Sequence, residues 1–256
     1  MGVAALLGTI DRYAWKARIR PVMLALLPVP LPVVAVAPEW ANGGRLWALV
    51  QLVGLLLLAE PLGRARGKGV EQELFTAWGG KPSVQLLRWR GPMNRTQLGY
   101  LRTRVQRIVG DSLPLPSEEE EEADPTTADE VYETVGTVLR ARARALSGTG
   151  LLVEHNCEYG FRRNALGLRN WALTAAVFGT VGLVGAAAWA GAVGAGIGAG
   201  RIVLWAALGA MDLALFTFWY VTVRPNWVES AAWEYARQLY ETVNIPDATS
   251  PATGSN

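Results

Sequence analysis

The sequence predicts an all-α, polytopic helical membrane protein with about four transmembrane spans and a helical cytosolic domain. Three observations carry this. Of 256 residues, 51% are hydrophobic and 18% charged, whereas soluble domains carry about a quarter charged residues. The apolar residues fall in blocks with the charges between them, as a bilayer demands, because a charge at its centre costs about 3 kcal/mol. Most of the eleven tryptophans sit near block ends, among them Trp40, Trp47, Trp171, Trp189, Trp205, Trp219 and Trp227, where amphipathic rings favour the membrane interface.

A helical span needs about 20 apolar residues to cross a hydrocarbon core about 30 Å thick. Four blocks qualify as candidates: 21–37, 46–59, 171–190 and 202–223. The last two are long enough as they stand. The second is short and needs Gly44 and Trp47 at the interface or a locally thinner bilayer. The first contains Pro28, Pro30 and Pro32. Each proline removes a backbone donor and clashes with the preceding turn, so this block predicts a kinked or broken span, or a re-entrant hairpin, shielded by other helices or by water. A signal peptide is the rival reading, with an A-x-A-like site at residues 34–37 and a basic flank from Arg12 to Arg20. The proline-filled apolar stretch and Pro38 directly after the cut argue against it. Met1-Gly2 lacks the Ser or Thr of a myristoylation motif.

Lys and Arg set the orientation. Arg12, Lys16, Arg18 and Arg20 precede the first block; Arg64, Arg66 and Lys68 follow the second. Arg162, Arg163 and Arg169 precede the third, and Arg224 follows the fourth. The other two loops carry Arg45 and Arg201 alone. Both termini and the 60–170 segment are therefore expected in the cytosol. The organisation reads as a cytosolic amphipathic segment (1–20), a transmembrane hairpin (21–59), a cytosolic helical domain (60–170), a second hairpin (171–223), a cytosolic amphipathic helix (224–245) and a disordered tail (246–256).

Within 60–170, Leu74, Phe75 and Trp78 share a helical face that Gly79-Gly80 ends. Asn94 is a candidate N-cap with Gln97 three residues on. Leu98, Leu101, Val105 and Ile108 then recur at helical spacing. An acidic linker near 111–124, with its prolines and the run Glu118 to Glu122, predicts a mobile, solvated loop. Asp124 caps the next helix and Pro125 suits its first position, with Val131, Val135, Val138, Leu139 and Leu146 on its apolar face. A further helix over 151–164 leads into the third block. After Pro225, the stripe Val228, Ala232, Tyr235, Leu239 and Val243 predicts a helix packed on the cytosolic helices or laid on the membrane.

The chemistry that the residues exclude is clearer than the chemistry they offer. One cysteine, Cys157, and one histidine, His155, are too few for a zinc site built from such ligands. Glu154, His155, Cys157 and Glu158 read as an ordinary polar helix face, so no metal and no cofactor is expected. GAGIGAG, from Gly194 to Gly200, echoes a dinucleotide fingerprint but follows no strand; close helix packing or a flexible turn explains it better. No catalytic constellation emerges, which points to a non-enzyme.

Two features remain. Asp212 lies at the middle of the fourth block, and an ionisable residue there is a functional candidate by default, as a pore-lining group, a proton carrier or an ion-pair partner. The alternative is a neutral carboxyl hydrogen-bonded to another helix. Gln51 in the second block is its candidate partner. Secondly, ten basic residues between Arg64 and Arg107 face only Glu71 and Glu73. Arg88, Arg90, Arg95, Arg102, Arg104 and Arg107, with Trp89 and Tyr100 among them, suit phosphates and bases, or else anionic lipid headgroups. The acidic run from Glu118 is placed to shield this patch within the chain. Double-stranded nucleic acid is not an expected partner.

The stretches GKGVEQELFTAWGGKPSVQLLR (67–88) and EYGFRRNALGLRN (158–170) resemble segments of uncharacterised bacterial four-span membrane proteins. Some of these look like candidate membrane effectors of anti-phage defence systems. The resemblance implies a bacterial inner-membrane protein that oligomerises and permeabilises that membrane; the kinked first block and Asp212 suit a gated pore or ion channel, and the basic window suits an anionic or nucleotide regulator. The resemblance brings no site residues. The other readings open are a membrane-anchored scaffold recruiting a cytosolic partner protein through 60–170, and a small-solute transporter or membrane-embedded enzyme. The two hairpins show none of the internal repeat of many transporters.

Overall fold

The computed structural model describes residues 12–36, 45–146, 148–192 and 198–246, with the side chains of 33, 34, 36 and 45–60 set aside. Every regular element among the described residues is helical. A π-helical turn, Ala14–Ile19, runs into α1 (Arg20–Leu26), followed by α2 (Leu31–Val36) and α3 (Arg45–Ala77). Then come α4 (Pro82–Gln85), α5 (Arg95–Val109), α6 (Glu118–Ala123) and α7 (Pro125–Ala145). The chain ends in α8 (Gly150–Ala192), α9 (Ala199–Thr217) with a π-helical turn at Phe218–Thr222, and α10 (Pro225–Glu241) with a 3₁₀ turn at Thr242–Asn244. Two of these helical stretches, Gly150–Ala192 and Ala199–Thr222, are long and apolar enough to cross a membrane by length and composition.

The chain forms two compact units. The first comprises Met1–Gln72 and Cys157–Val228. Its first apolar block is two short helices rather than one. Pro28, Pro30 and Pro32 deny donors to the carbonyls four residues before them. The chain turns at 27–30 instead, where Val29 N–H donates to Leu26 O (3.1 Å) and Leu31 N–H to Pro28 O (3.3 Å). The second apolar block lies within α3. Ile19, Val22, Ala25, Ala165, Leu168, Ala172, Trp219 and Val223 form one core. Trp219, expected at the interface from its place near a block end, is fully buried there. Leu31 and Ala35 of α2 form a second core with Ala186 of α8 and Leu208 of α9, and Trp205 Nε1 donates to Ala35 O at 3.1 Å.

The second unit comprises Glu73–Asn156 and Glu229–Asn256. Its core joins α4, α5, α7 and α10 through Val84, Leu87, Val105, Tyr132, Val135, Leu139 and Leu239. Asn94 caps α5, accepting from Gln97 N–H at 2.9 Å, and Gly110 ends it at φ 73°. The expectation of a solvated acidic loop is corrected here. Ser117 and Glu120 form a reciprocal capping box, and residues from Glu118 are helix α6. Four backbone N–H groups at a helix start need acceptors, and acidic residues in the first turn suit its positive end. The loop before α6 is pinned by Gln106, which donates to Gly110 O (2.7 Å) and accepts from Leu115 N–H (2.8 Å). Asp124 then caps α7.

The unit boundaries fall at 72/73, 156/157 and 228/229, not at the ends of the apolar blocks near 60, 170 and 224. The reason is local. Beyond their apolar stretches, α3 and α8 stay packed through Gly67 and Gly167, where any side chain would meet Asn164 or the Arg66 backbone. From Glu229 onward, α10 supplies Ala236, Leu239 and Tyr240 to the second core.

Candidate functional site

Asp212 is 1% exposed on α9. Its Oδ2 accepts from the Thr180 hydroxyl of α8 at 2.6 Å, and its Oδ1 is buried without a hydrogen-bond partner. A Cβ placed at Gly179 would lie 3.1 Å from that Oδ1 and 3.0 Å from the Pro28 carbonyl oxygen. The orphaned carboxylate oxygen therefore sits beside the proline turn. At Gly182 a Cβ would lie 2.5 Å from Pro32 Cγ, so two glycines on one face of α8 admit the turn. Pro30 is exposed. The structure thus brings Asp212 and Pro28 together, with Thr180, Gly179 and Gly182, none of which sequence reasoning selected. The Gly-x-x-Gly spacing at 179 and 182 was the available signal. The side chain of Gln51 lies outside the described residues, as do residues 193–197 of the glycine-rich stretch.

The basic candidates lie in the second unit, and three are engaged internally. Arg88 makes a fork with Asp129, Nε to Oδ1 at 2.8 Å and Nη2 to Oδ2 at 2.5 Å, and donates to Gly79 O at 2.8 Å. Arg95 makes a second fork with Glu118, which holds the Glu118 carboxyl below its usual range. Arg102 is buried. It donates to Leu87 O (2.7 Å), to the Tyr132 hydroxyl (3.0 Å) and to Pro116 O, and lies 4.5 Å over the Trp89 ring. Trp89 itself donates from Nε1 to Pro116 O at 3.1 Å and from its backbone to Glu121 Oε2 at 3.0 Å.

Arg102 is thus committed to internal contacts, Arg88 and Trp89 are partly buried against theirs, and Arg95 keeps an exposed guanidinium beside Glu118. The acidic helix supplies much of the counter-charge. Glu121 is 2% exposed and accepts from the Tyr132 hydroxyl at 2.7 Å. Burial pushes that hydroxyl up to about 12, with the Arg102 hydrogen bond opposing and the Glu121 one reinforcing. Arg90, 3.8 Å from Glu121, is itself exposed. Arg107 is exposed, Arg104 lies 5.2 Å over the exposed Tyr100 ring, and the Tyr100 hydroxyl reaches Asn244 Oδ1 at 3.3 Å. These four remain open to an external anion.

A buried polar cluster in the first unit escaped sequence reasoning. Arg163 pairs with Glu71 at 2.8 Å, and the Tyr159 hydroxyl donates to Glu71 Oε1 at 3.3 Å. Asn164 Nδ2 donates to Ala17 O at 2.6 Å. Burial, followed by the Glu71 carboxylate, pushes the Tyr159 hydroxyl up. This cluster joins the two stretches 67–88 and 158–170 that carried the resemblance. Glu158 pairs with Arg162 at 2.7 Å and Cys157 is buried. Among the described residues no three His, Cys, Asp or Glu side chains converge as metal ligands. No known protein family, characterised protein or solved structure matches the chain.

Proposed function

We propose that this chain is a four-span inner-membrane protein that oligomerises into a gated ion pore, with the second unit as its cytosolic regulatory module. The observation that supports it best is Asp212. A buried carboxylate oxygen without a donor, beside backbone broken by prolines, is costly at membrane depth. Such groups mark ion pathways by default. Membrane embedding is supported by the apolar surface of α8 and α9. Phe178 is 70% exposed, and Val181 and Val184 of α8 and Val203 and Leu213 of α9 are exposed too, apolar surface that lipid or another copy would cover favourably. The exposed Arg90 and Arg107, with the half-buried Arg104, supply a place for an anionic regulator.

The test is ion flux from liposomes holding the purified protein, with wild type beside Asp212→Leu and Asp212→Asn, swept across voltage and anionic ligands. Flux that falls at least tenfold in both variants supports a pore lined by Asp212. Silence from a folded oligomer under every condition overturns it.

A scaffold function has one observation in its favour. A cleft of about 800 Å³ in the second unit is walled by Met93, Tyr100, Leu101, Trp233 and Tyr240, as a surface for a partner protein would be. Under that reading Asp212→Leu leaves the cellular phenotype intact.

A further inference from the structure

The first unit contains a second cavity that the pore reading does not use. It is a crevice of about 370 Å³ between α1, α3 and α8. Leu26 at the end of α1 and Val29 in the proline turn line one side, Leu62 and Arg66 of α3 the second, and Trp171 and Phe178 of α8 the third. Thr174 also reaches the wall, but its hydroxyl donates back to Asn170 O at 2.9 Å, so it offers the crevice no free donor. Ala175, small at that position, leaves the space open.

Among the described residues the one charge on the wall is Arg66. Its guanidinium lies 4.4 Å over the ring of Trp171. No carboxylate pairs with it among the described residues. Its position is set by the backbone, because a Cβ at Gly167 would meet the Arg66 carbonyl and lie 2.9 Å from Gly67 N. The α3 and α8 sides agree in direction. Passing from Arg66 to Leu62 and from Trp171 to Phe178 moves from the charged margin into an apolar block, and Leu26 and Val29 already lie within the first block. Phe178 is seven residues from Trp171, about 10 Å along a helix.

We propose that this crevice binds an anionic phospholipid, with the phosphate on Arg66 and one acyl chain running down to Phe178. The proposal rests on the membrane-embedded reading above, but not on conduction. A guanidinium matches a phosphate through its fork of donors, and basic pockets between spans on the cytosolic side take anionic headgroups. Stacking on Trp171 holds the fork at interface depth, where tryptophan is favoured. An apolar crevice without a cation would accept any lipid tail. A cation without a crevice would accept any phosphate. The combination selects for both.

The experiment is native mass spectrometry of the full chain released from detergent after mixing with phosphatidylglycerol and phosphatidylcholine of identical chains, and with glycerol phosphate alone. Wild type should retain phosphatidylglycerol preferentially and glycerol phosphate not at all. Arg66→Gln, at an exposed side chain, should lower that preference about fivefold, the effect of one interfacial cation. Arg66→Lys should keep part of it. Ala175→Met, which fills the crevice and leaves Arg66, should lower retention of both lipids. Equal retention of the two lipids by wild type, or an unchanged preference in Arg66→Gln, overturns the proposal. Tight retention of glycerol phosphate identifies a free-phosphate site instead. A chain that fails to enter liposomes at all sinks the membrane reading and the lipid site with it, whereas loss of lipid preference in a chain that does enter them sinks the lipid site alone.

Discussion

Glu118 to Glu122 are five identical side chains, yet the structure gives them different roles. Glu121 is buried, with its Oε2 accepting from Tyr132 and from the Trp89 backbone. Glu118 sits on an exposed fork with Arg95. Removing Glu121 leaves buried donors without acceptors, which costs about 2–3 kcal/mol, whereas an exposed pair contributes little. Glu121→Ala should therefore raise hydrogen exchange across 86–135 by about 100-fold relative to wild type. Glu118→Ala should leave it unchanged. Equal effects from the two would mean that helix α6 is held by net charge rather than by one buried acceptor. Composition could not have singled out Glu121. The choice depends on Tyr132 and Trp89, 11 and 32 residues away in the chain. Asp212 shows the other side of this limit. Its burial was legible from hydropathy alone, but Thr180 as its donor was not, because a hydroxyl in a helix usually satisfies itself locally.

Helices are stabilised by caps and by what their faces meet, and the two were unequally legible. The caps at Asn94 and Asp124 follow from local chemistry and form as expected. The acidic loop was misread because a charge run is a compositional cue, while Ser117 followed by Glu120 is a capping box with a mechanism. The faces were harder. Between α3 and α8 the contact is made by glycine. Gly167 lies so close to Arg66 and Gly67 that a Cβ would meet backbone, while at Gly69, on the same stretch of α3, a Cβ would meet nothing within 4 Å. Backbone atoms cannot swing aside as a flexible side chain can. Gly167→Ala should thus force the helices apart and cost more than the helix propensity it gains, lowering the thermal midpoint of the full chain by several degrees. Gly69→Ala should hold or raise it, since alanine stabilises an open helical site by about 0.5–1 kcal/mol. A null effect at both positions would show that α3 and α8 are not packed at Gly167.

At the scale of the whole chain, hydropathy and charge lead to one expectation of sidedness, because a bilayer would act on both rather than on any particular contact. Long apolar helices appear where the third and fourth blocks stand, Gly150–Ala192 and Ala199–Thr222, whereas the first block is broken into two short helices. The helix expected over 151–164 does lead into the third block, as α8; what hydropathy could not show is that α3 runs unbroken from the second block to Ala77, because a helix has no need to end where its polarity changes. The expected sidedness leads to a direct prediction. The single native cysteine, Cys157, is 4% exposed, so it should stay silent to a bulky maleimide and need no removal. A Cβ at Gly198 would have nothing within 4 Å, and Thr103 is exposed on α5, so both positions accept a reporter thiol. With the positive-inside arrangement, a membrane-impermeant maleimide added to intact spheroplasts should label Gly198→Cys and spare Thr103→Cys. Lysis should expose Thr103→Cys, and wild type should stay unlabelled in both. The reverse pattern would place the Arg-rich unit outside, where an anionic cytosolic regulator could not reach Arg90, Arg104 or Arg107. Labelling of both before lysis would put the two reporters on one face, leaving α8 and α9 unable to cross as a simple hairpin with 60–170 in the cytosol.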